Sequence, residues 1–487
     1  MRTVNQTKKL FCVSLALITF IIMAINQGYA VKPISINAGA WNTLILIDDG
    51  TVWGMGYSEA LGNNICINNS DIFSSVKSIP IKIGGLNNVT SITTGAGFCI
   101  ALKNDGSLWA WGLDNNGQIG VGGIYGDYVN SPIRVSGLDN VIAVDAYGDN
   151  ALALCDNGSV WIWGSNQHGQ IPNWNEKARN IPLYVQGLPK IKKIAMGDSF
   201  AIALDENGIV WGWGYNAAGE LGDGTRKDRN IPSIVGNLAN VKDIDAGSSH
   251  IILLKDDGTV WTCGGNTFGQ LGNGKLEDSL TPVEVNGLIG NIAMLSAGGY
   301  HNIVLMADGT VWTWGNNKYG QLGIGVPENQ NTSSTILAGT VNINSAPPND
   351  YLLDDYRSIP VQVPGLININ MVSAGELHTV TTTDNGTIWT WGSNSYGQLG
   401  DMPNDTPGRG KPSIKNYPFK VQLNSSVNTS NSMLSNNTYP VMTSGNASIS
   451  PTDNNNKGLS LMQLLSAIIL LVIVIGIAGY YFIYRKK

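Results

Sequence analysis

An all-β fold, a propeller of seven four-stranded antiparallel blades, is what this sequence predicts, followed by one C-terminal transmembrane helix. Three observations carry the prediction. The string "ADGTVWTWGNNKYGQLGIG" (Ala307 to Gly325) recurs along the chain in seven copies, whose leading tryptophans are Trp53, Trp109, Trp161, Trp211, Trp261, Trp312 and Trp389. Their successive spacings are 56, 52, 50, 50, 51 and 77 residues, and a period of about fifty marks a solenoid, an array or a propeller. Each copy also divides into four strand-like pieces. Finally, only 13% of the residues are charged while Gly reaches 60 and Trp 14, a balance that favours strands joined by tight turns over helices.

The first piece of each copy ends in Ala-Gly or a relative, as in "IDAG" (Ile244 to Gly247), and the second is apolar, as in "HIILL" (His250 to Leu254). An Asp-Gly or Asn-Gly pair follows, for example Asp49-Gly50 or Asn157-Gly158. Such pairs tolerate the positive φ of a two-residue hairpin turn, so the second and third strands must be antiparallel neighbours. In the third, "TVWTWG", alternation puts Trp312 and Trp314 on one face. The fourth, Pro-x-x-Val as in "PVEV" (Pro282 to Val285), is expected to start at its Pro as an outer strand, where a missing N–H does no harm. Twelve tryptophans occupy the two motif positions: the seven above with Trp111, Trp163, Trp213, Trp314 and Trp391; Met55 and Cys263 stand in for the other two. They are expected to weld each blade to the next. The last copy ends with its own "PFKV" (Pro418 to Val421), and "KPIS" (Lys32 to Ser35) offers an extra strand for ring closure.

The two ends read as export and anchoring. Residues 1–30 carry Arg2, Lys8 and Lys9, an apolar run and Gly28-Tyr29-Ala30, the layout of a signal peptide cut after Ala30. The run is shorter than a comfortable span, which disfavours an uncleaved anchor. Residues 31–423 hold the propeller. Residues 424–458 are rich in Asn, Ser and Thr, too polar to pack, and contain sequons at Asn424, Asn428, Asn436 and Asn446, candidate glycosylation sites on a stalk. Residues 459–484 contain an uncharged run long enough for a bilayer, and the basic tail 485–487 sets the cytoplasmic side. The expectation is a single-pass type I plasma-membrane protein with its propeller outside the cell. Its external part carries 23 basic against 35 acidic residues, so nucleic-acid binding is disfavoured.

The string Asp-Gly-Thr-Val-Trp-x-Trp-Gly-x-Asn-x-x-Gly-Gln-Leu-Gly, preceded by Ala-Gly-x-x-His, resembles the repeat of the regulator of chromosome condensation 1 superfamily, from about Pro33 to Leu423. The resemblance implies a seven-bladed propeller. It leaves function open, because the superfamily includes a nuclear exchange factor, a plant ultraviolet receptor and secreted inhibitors of β-lactamase. The photoreceptor's Gly-Trp-Arg-His-Thr repeats are missing, and export and acidity speak against a chromatin factor. The secreted, protein-binding type is the nearer analogy.

Chemistry is sparse in the sequence. His250, His301 and His378 share one repeat position with Asn42, Phe98, Asn150 and Phe200, which reads as structural hydrogen bonding and not as a ligand set. Asp and Glu look scattered, and no nucleophile elbow, phosphate loop or zinc spacing appears. No catalytic residue, metal or cofactor is expected. Cys99, Cys155 and Cys263 read as small core side chains. Loops are more telling. Between Gln-Leu-Gly and the next Pro, most copies use 10–12 residues; copies 1 and 7 use 18, and copy 6 uses 37. Copies 6, 7 and 1 adjoin in a closed ring, so their long loops should crowd one sector. Tyr351, Asp354, Asp355, Tyr356 and Arg357 of copy 6 form the candidate partner-binding loop. The expected function is cell-surface recognition: adhesion, envelope scaffolding, or binding of an external protein or glycan. The alternatives are an extracellular enzyme with a site at the propeller axis and a surface inhibitor of another enzyme.

Overall fold

The computed structural model describes residues 32–57, 59–62, 76–123, 128–325, 356–401, 414–421 and 423. The signal, stalk, apolar C-terminal run and tail lie outside them. Seven four-stranded antiparallel sheets are formed, each from four consecutive strands. Blade 1 comprises β1 (Pro33–Ala38), β2 (Asn42–Ile47), β3 (Val52–Tyr57) and β4 (Val76–Lys82), and blade 7 ends at Ile414–Val421. The inner strands of neighbouring blades lie side by side all the way round, and β1 sits against the inner strand of blade 7. Among the described residues no helix is long and apolar enough to cross a membrane.

Three local expectations need correction. "KPIS" supplies no extra strand; it belongs to β1, the inner strand of blade 1. Blades 7 and 1 instead meet as complete sheets. Ala38 N donates to Ser373 Oγ at 2.9 Å, and Glu376 N donates to Gly39 O at 3.1 Å. The hairpin between the second and third strands has three loop residues, not two. Gly50 N donates to Ile47 O and Ile47 N to Thr51 O, both at 2.9 Å, and within the turn only Gly50 has positive φ, at 76°. Asp49 Oδ1 accepts from Thr51 N at 2.9 Å, fixing a turn closed by a left-handed glycine.

The outer strands, finally, begin before their Pro. In blade 3, Ile162 pairs with Leu183 but Gly164 pairs with Arg179, so Asn180, Ile181 and Pro182 stand opposite Trp163 alone. Pro lacks the N–H that a regular ladder needs, and the strand bulges there. The bulge links blades: Asn180 O accepts from Gly122 N of blade 2 at 2.8 Å, and Asn416 O from Gly325 N of blade 6 at 2.7 Å.

The core lies in the seams between blades. Trp111, Trp163, Trp213, Trp314 and Trp391 are fully buried, each against the preceding sheet: Trp163, for instance, packs on Phe98, Ile100 and Val135 of blade 2. The leading tryptophans lie on the same face but stay half-buried towards the rim. Trp261 Nε1 donates to Thr259 Oγ1 at 3.0 Å, and Lys103 Nζ lies 4.1 Å from the Trp109 ring centre. Met55 takes the buried position in the seam between blades 7 and 1, against Val380, Ile388 and Val421.

The Gly-Gln-Leu-Gly loop supplies each seam with an acceptor. In blade 2, Asp114 Oδ1 accepts from Ile119 N at 3.1 Å and Gln118 Oε1 from Asn116 N at 2.7 Å, which pins the loop. The Gln118 carbonyl then receives Trp163 Nε1 at 2.8 Å. Gln170, Gln270 and Gln321 receive Trp213, Trp314 and Trp391 in the same way. Where the indole is missing another donor serves: Thr43 on Gln398 O at 2.9 Å and Cys263 on Glu220 O at 3.6 Å. At Ala60 O the donor is Cys99, and Trp111 Nε1 has no acceptor among the described residues.

Candidate functional site

The turns between inner and second strands and the loops between third and outer strands emerge on one face, by antiparallel alternation. At its centre the inner turns enclose an axial cavity of about 380 Å³. Among the described residues five carboxyls line it, Asp145, Asp149, Asp198, Asp245 and Glu376, with Tyr147, Trp41 and His168 and no Lys or Arg.

Two of these acids brace the ring. Asp145 Oδ2 accepts from Met196 N of blade 4 at 2.7 Å while Oδ1 accepts from Thr93 Oγ1 of blade 2 at 3.3 Å. Asp245 Oδ2 accepts from Ala297 N of blade 6 at 2.9 Å. Ser296 and Ser373 play the same part for Ala374 N and Ala38 N. Burial, reinforced by the facing Asp245, pushes the Asp145 carboxyl up to about 7. Asp149 accepts from Asn116 Nδ2 at 2.9 Å and Gln118 Nε2 at 3.3 Å.

Asp198 and Glu376 have a different setting. Each follows the glycine of an Ala-Gly-type turn, in blades 4 and 7. Desolvation within the mouth raises both carboxyls, although Asp198 is exposed at its surface; His168 and Ser199 pull Asp198 back, and Asp198 raises Glu376 further. Tyr147 Oη is 2.7 Å from Ser248 Oγ across the mouth, and burial together with Glu376 holds the phenol well above its usual range. Around the mouth stand partly exposed rings: Trp41 meets Tyr57 edge-on at 5.8 Å and Tyr396 at a tilt at 5.6 Å, and His168 with Tyr215 at 4.6 Å and Phe268 with Tyr300 at 5.5 Å are edge-on.

The repeated histidines lie in the seams. His250, His301 and His378 are fully buried, and their Nε2 atoms meet Asn302 Oδ1, Thr379 Oγ1 and Thr43 Oγ1 of the following blade at 2.9, 3.0 and 2.9 Å. Burial drives them down to about 4, 3 and 3. Among the described residues no three His, Cys, Asp or Glu side chains are arranged to hold a metal. Cys99, Cys155 and Cys263 are buried free thiols.

Of the candidate loop, Tyr351, Asp354 and Asp355 fall outside the described residues, as do Asn424, Asn428, Asn436 and Asn446. Tyr356 and Arg357 open the outer strand of blade 6, with Tyr356 opposite Asn316 and 40% exposed, and Arg357 opposite Gly315. Sequence reading missed the axial acids. The signal was present down the repeat columns: Asp145 and Asp245 share one inner-strand position, and Asp198 and Glu376 share one turn position.

The buried groups give opposite pH dependences. Between about 4 and 7 native Asp145 keeps a proton that the unfolded chain releases, so its contribution is complete in acid and lost as pH rises through 7. The histidines contribute fully above their unfolded value of about 6.5 and lose that contribution as pH falls through 4 to 3. Asp145→Asn removes only the first effect. Its thermal midpoint, relative to wild type, should therefore rise steadily between pH 4 and pH 8; a difference independent of pH would refute the assignment.

A face of this kind on a closed ring of repeated four-stranded blades defines a β-propeller scaffold whose central mouth is built from the turns of all its blades. Residues 123–450 match the RCC1-like domain family and residues 89–118 the regulator of chromosome condensation (RCC1) repeat. The chain belongs to the RCC1-like domain family. It is 28% identical to the ultraviolet-B receptor UVR8 of Arabidopsis thaliana over 371 residues, 75% of this chain and 66% of that protein. Protein pim1 of Schizosaccharomyces pombe is 34% identical over 125 residues, 26% of this chain and 21% of pim1. The chain therefore spans about a fifth to two thirds of these relatives. Among solved structures it resembles Prp20p of Saccharomyces cerevisiae, with TM-score 0.62 and 21% identity, covering 82% of this chain and 90% of Prp20p. For human WBSCR16 the TM-score is 0.61 and the identity 22%, over 77% and 93%. At these identities the likeness is one of fold.

Proposed function

We propose that this chain is a non-catalytic recognition module that binds a protein partner on the mouth face of its propeller, displayed outside the cell by a C-terminal membrane anchor. The observation that carries the reading is the collar of partly exposed aromatic rings set on the turns of a closed ring of blades. Such rings offer large contact area at little cost in side-chain freedom. The binding of Prp20p to Gsp1p and histones supports a protein as the class of partner. Export rests on the signal-like first thirty residues, and anchoring on the uncharged run before Arg485. The polar stretch 424–458 acts as a stalk, glycosylated at its sequons, and the copy-6 loop adds to the contact surface.

Two measurements test this. Protease added to intact cells should degrade the propeller; full protection would refute surface display. Affinity capture with the full chain should yield a partner whose binding falls at least tenfold in Trp41→Ala/Tyr396→Ala, but not in the rim variant Ile133→Ser. Equal capture by all three would refute the mouth as the binding face.

A further inference from the structure

Charge and shape at the axis go beyond recognition in general. Among the described residues the axial cavity collects five carboxyls, one imidazole (His168) and no Lys or Arg, a lining that favours a cation over an anion. Asp145, Asp245 and Asp149 already accept hydrogen bonds from neighbouring blades or loops. Glu376 accepts none among the described residues, and exposed Asp198 has Ser199 of its own turn, with the His168 imidazole of blade 3 close enough to favour its charged form. The backbone at both residues is tied to the next blade, since Asp198 N donates to Gly247 O at 3.4 Å and Glu376 N to Gly39 O at 3.1 Å. Trp41 and Tyr147 line the same cavity, and the Tyr300 phenol nearby is raised by burial and then by Asp198 and Glu376. Aromatic faces beside carboxylates are the surroundings a desolvated organic cation prefers. A volume of about 380 Å³ admits a side chain or a small ligand but no folded element.

We propose that the axial mouth receives the ammonium or guanidinium group of a basic side chain on a protein partner, between Asp198 and Glu376 and against Trp41 and Tyr147. This rests on the protein-recognition reading above. The cation would offset the Glu376 carboxyl, which accepts no hydrogen bond among the described residues, and would share Asp198 with His168, while the aromatic collar holds the rest of the partner.

The test uses the full chain and four probes: capped Gly-Lys-Gly, capped Gly-Arg-Gly, the Nε-acetyl-lysine form of the first, and n-butylammonium. Binding is followed by calorimetry and by tryptophan fluorescence. The expected result is that the lysine and arginine peptides bind at least tenfold tighter than the acetylated peptide. Glu376→Gln and Asp198→Asn should each weaken them about fivefold, with Glu376→Asp restoring part of the loss and thermal midpoints unchanged. Equal binding of the acetylated peptide, or no effect of either substitution, would overturn the cation site. Butylammonium binding as tightly as the peptides would overturn a protein source. Partner capture that survives Glu376→Gln/Asp198→Asn would sink the cation site and leave the recognition reading standing. Charge-dependent peptide binding with no captured protein would do the reverse.

Discussion

Trp163→Ala should destabilise the propeller by about 3–5 kcal/mol, the range for emptying a large aromatic site in a packed core. The indole is fully buried against blade 2 and also occupies the Gln118 carbonyl at 2.8 Å. Its neighbour Trp161 is half-buried, with its N–H on Ser159 at the rim, so Trp161→Ala should cost much less. Phenylalanine separates packing from hydrogen bonding. Trp163→Phe leaves the Gln118 carbonyl without its indole donor, a loss of about 1–3 kcal/mol. Trp111→Phe removes an N–H that has no acceptor among the described residues, and Ala60 O keeps Cys99; it should be the milder change. Denaturant midpoints of the four variants check the order, and equal losses for Trp163→Phe and Trp111→Phe would show that the acceptor contributes nothing.

Gly298→Ala should be nearly as damaging, although it adds one methyl group. A Cβ there would lie 2.3 Å from Gly375 O and 2.4 Å from His301 Cε1. The first is backbone of the next blade and the second a fully buried ring, so neither yields without moving a seam. Overpacking of this kind costs about 1–3 kcal/mol and at times more. The same substitution at Gly84, where nothing lies within 4 Å and φ is unremarkable, should change the midpoint little. Gly298→Ala/His301→Ala relieves only the contact with the ring; if it were to restore full stability, the backbone clash would be excluded as the cause.

These sites show what could be read from the chain and what could not. The blades were legible because Trp312 and Trp314 alternate with small or branched residues, and because Asp-Gly pairs bound the strands at a fixed period. Alternation reports which face a side chain takes, but not how a backbone departs from its partner. Hence the bulge at Pro182 and the third loop residue of the hairpin were missed. The axial acids were hidden for another reason. Asp145 and Asp245 are 100 residues apart in sequence, and only ring closure brings their charges within reach of one another. The histidine column was legible as structural because phenylalanine shares it, yet its partners in the next blade were not.

Blades 7 and 1 join as two finished sheets, with no strand lent from one end of the chain to the other. Their seam carries the same kinds of bond as the rest: Thr43 on Gln398, a serine on the adjoining inner strand, and a histidine reaching across. The circle thus has no privileged starting point, and its integrity does not depend on where synthesis happened to begin. A circularly permuted gene, broken at any exposed link between one outer strand and the next inner strand, would encode the same wheel. Growth or loss of whole sectors by tandem duplication would meet no topological lock.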